Sequence, residues 1–341
     1  RGDRGAGGAR PRRPRARDAM RQLVAVAALV AAGCGGTMHA GATAATDRPI
    51  GEDLLALLPA GADAVVDVDV TQLDSWPTAR RLLALMPAEG RARLQKLGDD
   101  PHAEINALVV AVYKVATPEA ESVTVVRGSM GWDKLEATLA GGAAADYHGA
   151  ALVDGESEAL ARITPTVFAF GTRAGVRRVC DVARKDDDGF RTAGLDQRLR
   201  DALGRAPTAK LGRPAIMAAL VPTQPMRERL RAEKWDAAAD LDWLGLSFAV
   251  GDGFDVGVVA GAHGPIEAAT LQKTMKQRAG ELKTQATVRL LGLVPFVEPF
   301  VVVAKDSEVH VAYRLTESRV NQLVTRLEEM QSLGRKKASQ P

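Results

Sequence analysis

A strand that ends in a glycine turn and runs straight into a helix occurs twice in this chain. Val126-Arg127-Gly128-Ser129-Met130-Gly131 is matched by Val259-Ala260-Gly261-Ala262-His263-Gly264, and each continues into a helix carrying Ala-Thr-Leu, at 137–139 and 269–271. Glycines at matched points mean that the same turn, one that a side chain would obstruct, is needed twice. The surroundings match in the same order. Asp63–Val70 corresponds to Pro214–Val221, with Pro77 and Pro225 at the helix starts that follow, and Leu108–Val112 corresponds to Leu246–Val250. Val309–Tyr313 and the helix around Val320 parallel Val167–Phe170 and the helix around Val176. Strands joined by tight turns pair antiparallel, and helices of this kind must bury an apolar stripe on a sheet. The expected fold is α+β: two degenerate βαββαββα copies, with helices packed on mostly antiparallel sheets. The boundaries read as a first copy at 51–185, a linker with a helix at 186–212, a second copy at 213–334 and a tail at 335–341.

The elements can be placed individually. Ala64–Val70 alternates as a strand whose core face is Ala64, Val66, Val68 and Val70, leaving Asp67 and Asp69 on a solvated face. A helix starts at Trp76-Pro77 and carries Leu82, Leu83, Leu85 and Met86. Leu108–Val115 and Ser122–Val126 form a hairpin around Thr117-Pro118, and Tyr147–Val153 and Thr166–Phe170 read as two further strands. Gly251-Asp252-Gly253 makes a tight turn through the Asp-Gly preference for positive φ. This order, with Tyr147-His148-Gly149 and the strand end Phe168-Ala169-Phe170-Gly171, resembles uncharacterised duplicated α/β domains of bacterial exported proteins and lipoproteins. The resemblance spans the folded part and implies no activity.

The address is read from Leu23–Cys34. Arg21 precedes an apolar run of about ten residues, too short for the roughly 20 that span a bilayer, and the run exits through Ala31-Ala32-Gly33 as an export signal does. Val30-Ala31-Ala32-Gly33-Cys34 resembles the lipobox of bacterial lipoproteins, with Ala31 where that family usually has Leu. The resemblance implies cleavage before Cys34, acylation of its sulfur and amino terminus, and anchoring in one leaflet of the cell envelope. Gly35 stands where Asp would retain a lipoprotein at the inner membrane, which favours the outer membrane in a cell that has two. Residues 20–33 are therefore read as a lipoprotein signal peptide and 34–50 as a flexible tether. Residues 1–19 are expected to be a disordered upstream extension, because Met20-Arg21 makes a natural start for the signal.

This reading changes what the charge means. Eight of the 45 basic and two of the 42 acidic residues lie in positions 1–33, so 37 basic and 40 acidic residues remain from Cys34 onward, a net charge of −3. That balance argues against nucleic acid as a partner.

No catalytic signature stands out. The histidines at 39, 102, 148, 263 and 310 are not at helical ligand spacing, and HExxH and paired CxxC patterns are absent, so no metal or cofactor is expected. Cys180 sits among Val176, Val179 and Val182 as a buried structural thiol. Ser129 in Arg127-Gly128-Ser129-Met130-Gly131 reads as a helix entry rather than a nucleophile elbow, and Asp186-Asp187-Asp188-Gly189 as a helix end without the spacing of a calcium loop. Gly171-Thr172-Arg173-Ala174-Gly175 has the strand-to-helix setting of an anion site but lacks a nucleotide-loop pattern. Asp67 and Asp69, two apart on one strand, are the nearest thing to a carboxylate pair.

The most distinctive segment is 288–304. Leu290, Leu291, Leu293, Val294, Phe296, Val297 and Phe300 surround Pro295 and Pro299, which exclude a regular helix interior. It is either an exposed patch for an envelope protein or lipid, or part of the core or of a groove between the copies. The leading expectation is a non-enzymatic, lipid-anchored envelope protein acting as a binding or scaffold module. The alternatives are a hydrophobic-ligand or lipid-binding protein with a pocket near 288–304, and an unrecognised enzyme using Asp67, Asp69 or His148.

Overall fold

β1 (Ala64–Asp69) is buried at every residue, which makes it the middle of the molecule and not a half-exposed layer. The computed structural model describes residues 52–84, 104–139, 142–183, 194–206, 213–290 and 293–338. Val66 and Val68 point to one side of the sheet with Trp76, Ile216 and Leu315, while Val65 points to the other with Val109 and Leu199. The expected solvated face of this strand is therefore corrected: Asp67 and Asp69 are each 8% exposed.

Among the described residues the remaining strands are β2 (Ile105–Tyr113), β3 (Glu121–Gly128), β4 (Ala143–Tyr147), β5 (Ala150–Asp154), β6 (Glu158–Thr164), β7 (Val167–Thr172), β8 (Ile216–Leu220), β9 (Leu241–Gly251), β10 (Gly253–Ala262), β11 (Val301–Lys305) and β12 (Glu308–Thr316). They form one 12-stranded sheet in the order β11-β12-β10-β9-β8-β1-β2-β3-β7-β6-β5-β4. Neighbours pair antiparallel throughout, including β1 with β8, where Ala64 faces Leu220, Val66 faces Ala218 and Val68 faces Ile216. The separate sheets anticipated from the sequence are thus a single sheet.

Helices cover both faces. On one lie α1 (Glu52–Leu55), α5 (Arg173–Ala183) and α6 (Gln197–Gly204), whose Leu54, Val176, Val179, Cys180, Leu199 and Leu203 pack on Val65, Val109, Val123 and Ala169. On the other, α2 (Val70–Asp74), α3 (Pro77–Ala84), α4 (Trp132–Thr138) and α12 (Glu317–Ala338) bring Leu73, Ala79, Leu135, Val320 and Val324 against Val66, Val126, Phe168 and Val250. On that same face α9 (Pro265–Thr284) lays Ala268 and Leu271 over Val302, Val309 and Val311. α7 (Gln224–Ala232), α8 (Asp236–Ala239), α10 (Ala286–Leu290) and α11 (Val294–Val297) complete the described helices. α5 shows why such segments are helical: Val176, Val179, Cys180 and Val182 fall on one buried side at 3–4-residue spacing. Burial pushes the Cys180 thiol up to about 11, as suits a structural cysteine.

Local chemistry explains two departures from the sequence reading. Tyr147–Val153 is not one strand, because the chain reverses at His148-Gly149 with φ of 55° and 83° and separates β4 from β5. The Asp146 carboxylate accepts from the Gly149 N–H at 3.0 Å and fixes that turn. β4, mostly alanine, and β6, EALARIT, carry weak strand signals. The Gly251–Gly253 turn is as expected, and it needs its second glycine: φ is 124°, and a Cβ there would lie 2.0 Å from the Leu315 carbonyl oxygen. Gly253→Ala should lower unfolding stability in urea by about 2 kcal/mol or more, whereas Gly131→Ala, in open space at φ −70°, should be near neutral.

Candidate functional site

Asp67 and Asp69 lie on one face of the central strand. Asp67 sits between Val109 of β2 and Met217 of β8. Burial, with the Asp69 charge adding to it, pushes the Asp67 carboxyl up to about 6, and Arg213 works in the opposite direction. Asp69 is also raised by burial, but it has structural work: its Oδ1 accepts the Gln72 N–H at 3.0 Å, capping α2. The side-chain amide of Gln72 donates to the Arg213 carbonyl and ties the start of β8 to the same corner.

His148 is elsewhere. It occupies the β4–β5 turn, five to six strand spacings from β1, roughly 24–29 Å at the usual interstrand distance. Its Nε2 lies 3.6 Å from Asp181 Oδ1, the atom that also accepts the Tyr147 hydroxyl at 3.2 Å. Asp67 and Asp69 are thus together, and His148 does not converge with them.

The 288–304 segment divides. Leu291 and the side chain of Leu290 lie outside the described residues. Leu293, Val294 and Val297 are half-buried, and Phe296 is in the core cluster with Val320 and Val324. Pro295 stands in the first turn of α11, and the Phe296 carbonyl accepts the Tyr313 hydroxyl at 2.7 Å. Phe300 is 45% exposed and stacks on Tyr313 at 4.4 Å. From Tyr313 the rings continue inward through Phe254 to Trp76. The apolar surface therefore begins where the expected patch ends. Val301 and Val303 are 55% and 50% exposed on β11, while Val302 between them is buried under α9. In sequence Phe300-Val301-Val302-Val303 is a continuous apolar run that gives no sign of which residues face solvent; that depends on β11 being the end strand among the described residues.

The minor candidates have structural roles. The Ser129 N–H donates to the Glu104 carbonyl at 2.8 Å, and a Cβ at Gly128 would clash with that oxygen, so the turn is a helix entry. Arg173 donates to the carbonyls of Gly155 and Glu156 and lies 3.6 Å from Asp154, so its cation is engaged by the chain itself. His263 faces Asp242 at 3.2 Å and His310 faces Glu308 at 3.1 Å. Among the described residues no group of three or more His, Cys, Asp or Glu side chains is placed to hold a metal, and no helix is long and apolar enough to cross a membrane. Cys34, the signal and tether, and Asp186–Gly189 lie outside the described residues.

By sequence the chain matches no protein-family profile and no curated protein. Among solved structures it is similar to crystal form III of TP0453, with 10% identity and a TM-score of 0.45 over 80% of this chain and 97% of that one. Crystal form I of TP0453 gives 10% identity and a TM-score of 0.42 over 80% and 96%.

Two measurements check these assignments. Because the folded Asp67 carboxyl titrates above its unfolded value, its ionisation opposes folding: the stability is fully present below about pH 4, is lost as pH rises through 4 to 6, and the penalty is complete above that. Asp67→Asn should therefore raise stability well above pH 6 by about 3 kcal/mol, with the gain vanishing near pH 4 in pH-resolved urea titrations. Phe296→Ala should cost about 3 kcal/mol and Phe300→Ala less than about 1 kcal/mol.

Proposed function

We propose that this chain is a non-enzymatic, lipid-anchored protein of the bacterial cell envelope that acts as a binding or scaffold module. The observation that carries the reading is the run from Arg21 to Cys34, a short basic-then-apolar signal ending in a lipobox-like Cys. Several acyl chains, each contributing about 0.8 kcal/mol per buried methylene, hold a protein on a membrane where one chain releases it. Gly35 favours the outer membrane in a cell with two. The membrane, through acylated Cys34, is the first partner, and an envelope protein or lipid the second.

The placement of the acidic groups supports a binding role over turnover. Asp67 and Asp69 lie in a sheet covered on both sides, one of them capping a helix, and His148 is far from both. We also read the two halves as degenerate copies. Moving outward from the β1–β8 junction, the order β1-β2-β3-β7-β6 on one side is repeated as β8-β9-β10-β12-β11 on the other. A second reading, a hydrophobic-ligand or lipid-binding protein, draws on the exposed Phe300 beside the row of rings leading to Trp76.

Intact mass and membrane partitioning in a lipoprotein-processing bacterium test the anchor. Wild type should begin at a multiply acylated Cys34 and sediment with membranes, and Cys34→Ser should be unacylated and released. An unacylated, soluble wild type would remove the anchor from the reading.

A further inference from the structure

Strand β11 closes one end of the sheet on β12 and has no strand on its other side among the described residues. In the first half, the strand at the same step from the junction is β6, which is paired on both sides, with β7 and with β5. Between α9 and β11 the chain forms α10 and α11 where the first half forms the β4–β5 hairpin. β11 thus holds an inner position in the strand order without the outer neighbour that position has in the other half. Its Val301 and Val303 are about half exposed on the face away from α9. An edge of this composition, with neither proline nor inward-pointing charge between residues 301 and 304, is a template for another strand.

We propose that the missing neighbour is β11 of a second copy of this chain, paired antiparallel so that the sheet continues through a two-fold axis at Val302. A two-fold axis normal to a sheet keeps each face continuous, so residues that face one another across it point to the same side. Centred on Val302, the register places Val301 opposite Val303 of the second copy, and Val303 opposite its Val301. Phe300 then meets Ala304, a large side chain against a small one. The Val302 carbonyl already takes a bond from Gln272 at 3.0 Å, and its second lone pair remains for the new strand. The opposite end of the sheet is a poorer match: β4 offers Ala143, Ala144, Ala145 and Asp146, and joining it to β11 would build an open filament rather than a closed pair. Two five-residue strands pairing edge to edge make a small interface, so the dimer is weak and concentration-dependent. It is independent of the lipid anchor.

The test uses the full chain carrying Cys34→Ser, with the buried Cys180 left in place. Sedimentation velocity from micromolar to near-millimolar concentration should show a monomer–dimer equilibrium, weakened at least about tenfold by Val303→Lys with circular dichroism unchanged. Register is read by disulfide trapping: a mixture of the Val301→Cys and Val303→Cys chains should form a mixed disulfide dimer, while neither variant alone should. A monomer at all concentrations, a dimer indifferent to Val303→Lys, a mixture that does not cross-link, or efficient cross-linking of either variant alone would each overturn the proposal.

Discussion

The backbone ladder between β1 and β8 holds the molecule together, because it turns what would be two edges into the most buried part of the sheet. Divided there, the strands would form a seven-stranded and a five-stranded piece, each ending in an apolar edge. Val65, Val66 and Val68 on one side and Ile216 and Ala219 on the other are all nearly inaccessible. Unpaired backbone groups beside such residues would invite association with any available strand. Side chains reinforce the join. Trp76 follows α2 in the first half, yet its ring packs edge-on against Phe248 and Phe254 of the second at 6.2 and 6.1 Å. Far out along the sequence, Arg81 reaches Glu328 at 2.8 Å and Asn321 at 3.1 Å on α12. Both main core clusters draw residues from both halves, so neither half encloses a complete core.

This junction also explains what the sequence concealed. Alternation along Ala64–Val70 correctly located a strand, but alternation reports only that one face is apolar. Whether the other face meets water is decided by α1 and α6, elements distant in the chain. Asp67 was accordingly assigned to solvent when it is buried. Where local pattern and tertiary environment agree, the reading was sound: the β2–β3 and β9–β10 hairpins, the glycine-dependent turns and the apolar stripe of α5 are in place. β4 and β6 were missed because alanine, glutamate and arginine have little preference for strands. Their pairing comes from the His148-Gly149 reversal and from β7, not from their own residues.

The apolar segment near residue 300 was legible as composition but not as geometry. Pro295 and Pro299 announced that no long helix runs through it, and the short α11 bears that out. Which phenylalanine enters the core depends on tertiary contacts that no local pattern reveals: Phe296 packs with Val320 and Val324, and its carbonyl accepts the Tyr313 hydroxyl. That bond ties α11 to Tyr313 of β12, while Phe296 lies in the core cluster and Phe300 is left at the rim. The same chain path delivers Val301 and Val303 to an end strand.

Asymmetry between the two ends of the sheet follows from these particulars. In the first half the chain spends residues 143–154 on a hairpin that extends the sheet by two strands and finishes in small and polar side chains. In the second half α9 spans 20 residues, and the described residues between it and β11 form α10 and α11, which add mass above the sheet but no strand beside it. The first end is blunted by alanine and aspartate, which give an approaching strand little to bury. At the second end three consecutive valines alternate between α9 and solvent, so one face of β11 is satisfied by its own chain and the other is not. Gln272, reaching from α9 to the Val302 carbonyl, engages one acceptor of that strand but covers neither exposed valine.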